Sequence, residues 1–147
     1  RVLVAAPQYL ESHPAIDELS DLTKHDLIAF SNFGLESWSF APTEGSSVPR
    51  TVHFVPRYLV NSVRAAAASA AEGMGVTRLY SYHVAEYVRA GHLRIILSHA
   101  EPPALPVHIL TPQGRAAVPK VRTFIDFAVP RLRAELGRIA AESGSLA

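Results

Sequence analysis

Hydrophobic positions along the chain change period in a regular way, and the change is clearest between Val60 and Leu79. That stretch reads as strand, capped helix, tight stop and strand. Asn61 or Ser62 can set a side-chain oxygen on the free amides of a first helical turn, and the residues through Glu72 are mostly alanine, the strongest helix former. Val63, Ala66, Ala67, Ala70 and Met74 fall at helical spacing and make a narrow stripe of small apolar side chains, which lets a helix lie close on a sheet. Gly73 ends the helix where a left-handed residue is wanted. The spacing predicts a β-α-β unit whose helix starts at the carboxyl end of a strand, where open α/β sheets bind ligands.

The same reading extends in both directions. Val2 to Ala5 is a short all-apolar run, as a buried parallel strand would be, and Pro7 opens a short helix to about His13. Leu19 and Leu22 bracket an acidic surface turn of helix, and Leu27-Ile28-Ala29-Phe30 is the next buried strand, followed by the loop Ser31-Asn32-Phe33-Gly34. Trp38-Ser39-Phe40 alternates, Pro42 to Ser47 is turn chemistry, and Thr51 to Val55 pairs back on the first strand as a hairpin ended by Pro56. Ser81 is positioned to cap a helix across Val84, Tyr87 and Val88, with Gly91 as its stop before the apolar run Leu93 to Leu97. His99 to Pro106 is proline-rich and suits a crossover, Val107 to Leu110 reads as a further strand, and Val121, Phe124, Ile125, Ala128, Leu132 and Leu136 keep helical spacing across Pro130. After Gly137 the tail turns small and polar and is expected to fray. Strands alternating with helices predict an α/β fold with a mostly parallel open sheet and flanking helices.

Composition narrows the class. A chain of 147 residues, 48% hydrophobic and 18% charged, is long enough for one globular core and too apolar for disorder. No apolar run approaches the roughly 20 residues of a membrane span. The absence of cysteine removes disulfides, thiolate metal sites and cysteine nucleophiles from these residues. A net charge of +1 is far from a nucleic-acid-binding footprint. The start at Arg1-Val2-Leu3 without a methionine is that expected of a piece of a longer chain.

Reaction chemistry finds little support. The 7 histidines are scattered, with no i, i+4 pair and no HExxH pattern, so no metal site is expected. No Gly-x-Ser-x-Gly elbow occurs, and Gly73-Met74-Gly75 follows a helix where a dinucleotide fingerprint would open one. Neither a catalytic residue nor a cofactor is expected. What stands out is a set of polar side chains at predicted strand ends: Ser31 and Asn32 after one strand, Asn61 and Ser62 after another, with Phe33 and Tyr80 placed to wall the space between. Turn formation and helix capping use such side chains too. The functional reading is a crevice that takes a small ligand through hydroxyl, amide and helix-terminus donors.

Several stretches together resemble one family. They are Arg1 to Pro7 with Tyr9-Leu10, Leu22 with His25-Asp26-Leu27-Ile28, Trp38 with Phe40, Asn61-Ser62 with Gly73-Met74-Gly75-Val76, Gly91 with Leu93, and Pro119 with Val121-Arg122 and Phe124 to Phe127. In order and spacing, nearly to Leu136, they resemble the effector-binding region of LysR-type transcriptional regulators. The resemblance implies a sensor like type 2 periplasmic binding proteins, with residues 1–105 forming its second subdomain and 106–147 the returning strand and terminal helix of the first. It also implies a cytoplasmic homodimer or higher homo-oligomer that binds a small-molecule effector. DNA contact would come through an N-terminal winged helix-turn-helix outside this sequence. A solute-binding protein and a small α/β enzyme are the alternative classes.

Overall fold

The computed structural model of the chain describes residues 1–31, 35–112 and 118–145. Its strands are β1 (Val2–Ala5), β2 (Leu27–Phe30), β3 (Ser37–Phe40), β4 (Arg50–His53), β5 (Tyr58–Val60), β6 (Val76–Leu79) and β7 (Arg94–Ile96). The α-helices are α1 (Pro7–Ser12), α2 (Val63–Ala71), α3 (Ser81–Arg89) and α4 (Pro119–Ser145), and a 3-10 turn spans Leu19–Lys24. Among the described residues the main sheet has the order β5-β2-β6-β1-β7. β2 pairs in parallel with β5 and β6, whereas β1 is antiparallel to both β6 and β7. Thus β5, β2, β6 and β7 all point one way and β1 alone is reversed.

β1, β2 and β6 are buried at every residue, because the sheet is covered on both faces. Leu3, Tyr9, Leu22, Leu27, Trp38 and Phe40 fill one side, beneath α1, the 3-10 turn and the hairpin β3-β4. Val4, Ile28, Phe30, Leu79, Val84 and Leu93 fill the other, against α2 and α3. Ala66, Ala67 and Ala70 of α2 are fully packed, so the alanine stripe brings that helix close to the sheet as its spacing predicts. Gly75 has φ +142°, and a Cβ there would lie 2.2 Å from the Asp26 carbonyl oxygen, so only glycine lets the chain enter β6 beside β2.

Several local expectations change. β1 is buried as its apolar run requires but runs antiparallel, because it lies between β6 and β7 and opposes both. Ser62, not Asn61, caps α2, accepting from the Ala65 amide at 3.4 Å. Ser81 is the first residue of α3; Tyr80 holds the cap position without a side-chain cap bond. Met74 lies past the helix end and is 37% exposed. Val107 to Leu110 pairs with no strand among the described residues, and Val107 and Leu110 are exposed: an apolar run becomes a strand only beside an edge that takes its hydrogen bonds. The terminal helix does not stop near Gly137 but continues to Ser145, held by Ile139, which is buried, and by the Arg89–Glu142 ion pair to α3.

Candidate functional site

The candidate site is built on three adjacent parallel strands that end on one edge of the sheet. The register Phe30↔Val60 and the bond from the Ser31 amide to the Val60 carbonyl, 3.0 Å, set Ser31 next to Asn61 where β2 and β5 run out. On the other side of β2, β6 runs out at Leu79 and delivers Tyr80 to the same edge. Ser31, Asn61 and Ser62 are exposed and Tyr80 is half-buried. Asn32 and Phe33 lie outside the described residues. α2 and α3 both start here, directly off β5 and β6, and turn the positive ends of their dipoles toward the edge. The structure brings together Ser31, Asn61, Ser62 and Tyr80.

Tyr80 belongs to an aromatic group that extends the wall. The Tyr82 ring stacks on it with centroids 5.5 Å apart, and His83 meets Tyr82 edge-on at 4.2 Å. Burial pushes the His83 imidazole below its ordinary value, and its Nδ1 is buried without a hydrogen-bond partner among the described residues. Sequence reading passed over Tyr82 and His83; the signal was the run Tyr80-Ser81-Tyr82-His83 immediately after a strand.

A second titratable group sits at the opposite, amino end of β2. The Tyr9 hydroxyl accepts from the Asp26 amide at 3.0 Å and bonds His25 Nδ1 at 3.2 Å, while the His13 ring stacks on Tyr9 at 3.9 Å. Burial, and then the charge of His13, lower the His25 pKa, and burial raises that of the Tyr9 phenol. These bonds tie α1 and the 3-10 turn to the start of β2. The described residues contain no cluster of three or more groups suited to a metal ion. The strand ends present hydroxyl and amide groups beside the stacked rings of Tyr80 and Tyr82.

A family model described as the LysR substrate binding domain matches residues 1–133. The chain belongs to the LysR substrate-binding domain family. It is 30% identical over 139 residues to the HTH-type transcriptional regulator PtxR of Pseudomonas aeruginosa, a match that covers 94% of this chain and 42% of that protein. The regulatory domain of AphB in Vibrio vulnificus superposes with a TM-score of 0.69 at 26% identity, covering 88% of this chain and 63% of that one. CrgA of Neisseria meningitidis, a LysR-type regulator 21% identical, shares the fold with a TM-score of 0.67 over 89% of this chain and 44% of its own. The chain therefore spans about two fifths of the curated relative and less than two thirds of these solved chains.

Membership of the LysR family makes the fold type 2 periplasmic-binding-like and favours the LysR-domain reading over the solute-binding and enzyme readings. The described part of this LysR domain contains no helix long and apolar enough to cross a membrane.

Proposed function

We propose that this chain senses a small-molecule effector within a LysR-type transcriptional regulator and that the effector sits at the carboxyl ends of β5, β2 and β6. The observation that carries the reading is the convergence of Ser31, Asn61, Ser62 and Tyr80 on one edge where two helices also begin. Their hydroxyl and amide donors hold the ligand, with the Tyr80 ring beside them. Binding acts by differential affinity for two conformations, and no bond is made or broken. Residues 1–105 are the second subdomain of the sensor, and 106–147 belong to the first. Val107, Leu110, Phe124, Phe127 and Leu132, all exposed here, then face the rest of that first subdomain. The complete regulator is a cytoplasmic homodimer that contacts DNA through a winged helix-turn-helix. Thermal-shift titration of the full-length protein against a panel of small organic acids, amino acids and aromatic metabolites tests this. A compound that raises the midpoint in the parent and not in Asn61→Ala supports the site; equal shifts in both place the ligand elsewhere.

A further inference from the structure

The direction of β1 decides what else stands on the strand-end edge. Had Val2 to Ala5 run parallel to β6, as an all-apolar run suggests, Arg1 would stand at the amino ends of the strands, where His25 and Asp26 precede β2. The observed register is antiparallel, with Val2↔Leu79 and Val4↔Thr77, so the start of β1 meets the end of β6. Arg1 is thereby carried to the edge that holds Ser31, Asn61, Ser62 and Tyr80. Its guanidinium carbon lies 5.7 Å from the centroid of the Tyr80 ring, a distance at which the ring's quadrupole attracts a cation.

Arg1 is exposed. The other side chains placed on the edge, those of Ser31, Asn61, Ser62, Tyr80 and Ser81, are uncharged, and α2 and α3 begin there with the positive ends of their dipoles. Arg78, two residues before Tyr80, does not fill the same role: its side chain is 2% exposed, and its Nε donates to both oxygens of Glu101 at 3.0 and 3.1 Å. Among these residues, the side-chain charge that the edge presents is that of Arg1. In strand order β1 lies two strands from β2, with β6 between, which separates the Arg1 and Ser31 backbones by about 10 Å at the usual strand spacing. One small molecule and the Arg1 side chain fill that gap together.

We propose that Arg1 sets the specificity of this edge for an effector bearing a carboxylate, which its guanidinium takes while Ser31 and Asn61 bind polar groups at the other end. The planar, permanently charged fork of arginine fits two carboxylate oxygens side by side, and it is more weakly hydrated than an ammonium, so it costs less to cover. The inference rests on the reading of the strand ends as an effector site and names the chemical class that site takes.

Matched acids and amides test it in the full-length protein: propionate with propionamide, phenylacetate with phenylacetamide, and inorganic phosphate as a second kind of anion. Ionic strength is held constant, because salt screens an exposed charge. Affinities are read from NMR shifts of Ser31, Asn61 and Tyr80. Each acid should bind more tightly than its amide by about 10- to 100-fold, the range of a hydrogen bond to a charged group. Arg1→Gln should erase that preference, and Arg1→Lys, which keeps the charge without the fork, should retain part of it. Equal binding of acid and amide in the parent, or a preference that survives Arg1→Gln, overturns the role of Arg1. Phosphate binding more tightly than both acids overturns the assignment of a carboxylate. In either case, binding that Asn61→Ala weakens leaves the strand-end site standing, whereas no response to any probe at Ser31, Asn61 or Tyr80 overturns both.

Discussion

Replacing Glu101 by alanine should destabilise the protein more than the loss of any surface charge, because Glu101 is half of a buried ion pair. Its side chain is 6% exposed and that of Arg78 is 2% exposed. The Arg78 Nε donates to both carboxylate oxygens, at 3.0 and 3.1 Å, and Nη2 donates to Oε2 as well. Removing the carboxylate leaves a guanidinium in the core with, among the described residues, the Ser39 carbonyl, 2.9 Å from Nη1, and the Phe40 ring, 4.2 Å from its centroid, to hold it. An uncompensated buried charge of this kind costs about 3–5 kcal/mol. For a chain of this size that lowers the melting midpoint by about 10 °C. Arg78→Met with Glu101→Leu removes both charges and fills the space, so the double variant should return to within about 1 kcal/mol of the parent. Guanidinium denaturation followed by circular dichroism measures all three proteins. The reasoning is refuted if Glu101→Ala costs less than about 1 kcal/mol, the range of an exposed pair, or if the double variant is as unstable as the single one.

Three further outcomes follow from single residues. Gly75→Ala forces a Cβ to 2.2 Å from the Asp26 carbonyl at φ +142°, so it should cost about 3 kcal/mol or more by chemical denaturation. Ser62→Ala should cost about 1 kcal/mol of stability through the lost α2 cap, whereas Asn61→Ala should leave the melting midpoint unchanged and lower only ligand affinity. The pH dependence comes from His25 and His83, both held below their ordinary value in the folded chain. Unfolded, each takes up a proton near pH 6.5 (about the free imidazole value). The unfolded state therefore binds more protons in that window, and stability that is complete above it is lost as pH falls through about 6.5 toward the folded values. Midpoints measured from pH 8 to pH 5 should fall, and His25→Phe with His83→Phe should flatten the fall.

Much of the fold was legible because local and long-range signals agreed. The stripe of Val63, Ala66, Ala67 and Ala70, the stops at Gly73 and Gly91, and the Pro42 to Ser47 turn each specify one element, and the structure places them there. Strand direction was not legible. Val2 to Ala5 is apolar whichever way it runs, and only its position between β6 and β7 makes it antiparallel. The run Val107 to Leu110 has strand composition but no edge to pair with among the described residues. Gly137 suggested a helix end, but tertiary contact through Ile139 and Glu142 outweighs its weak propensity. The site was half legible. Polar residues after apolar runs marked Ser31, Asn61 and Ser62, yet the strand order that sets them together, and the stacking of Tyr82 on Tyr80, depend on residues far apart in sequence.

The central claim is that effector recognition takes place where β5, β2 and β6 end. Amide and side-chain chemical shifts of the isotope-labelled full-length protein, followed by NMR during titration with the compound selected by thermal shift, test it most directly. The account predicts saturable shifts concentrated at Ser31, Asn61, Ser62 and Tyr80. Shifts confined to the groove between α2 and α3, around Arg64, Glu86 and His92, with Ser31 and Asn61 unmoved, would contradict it.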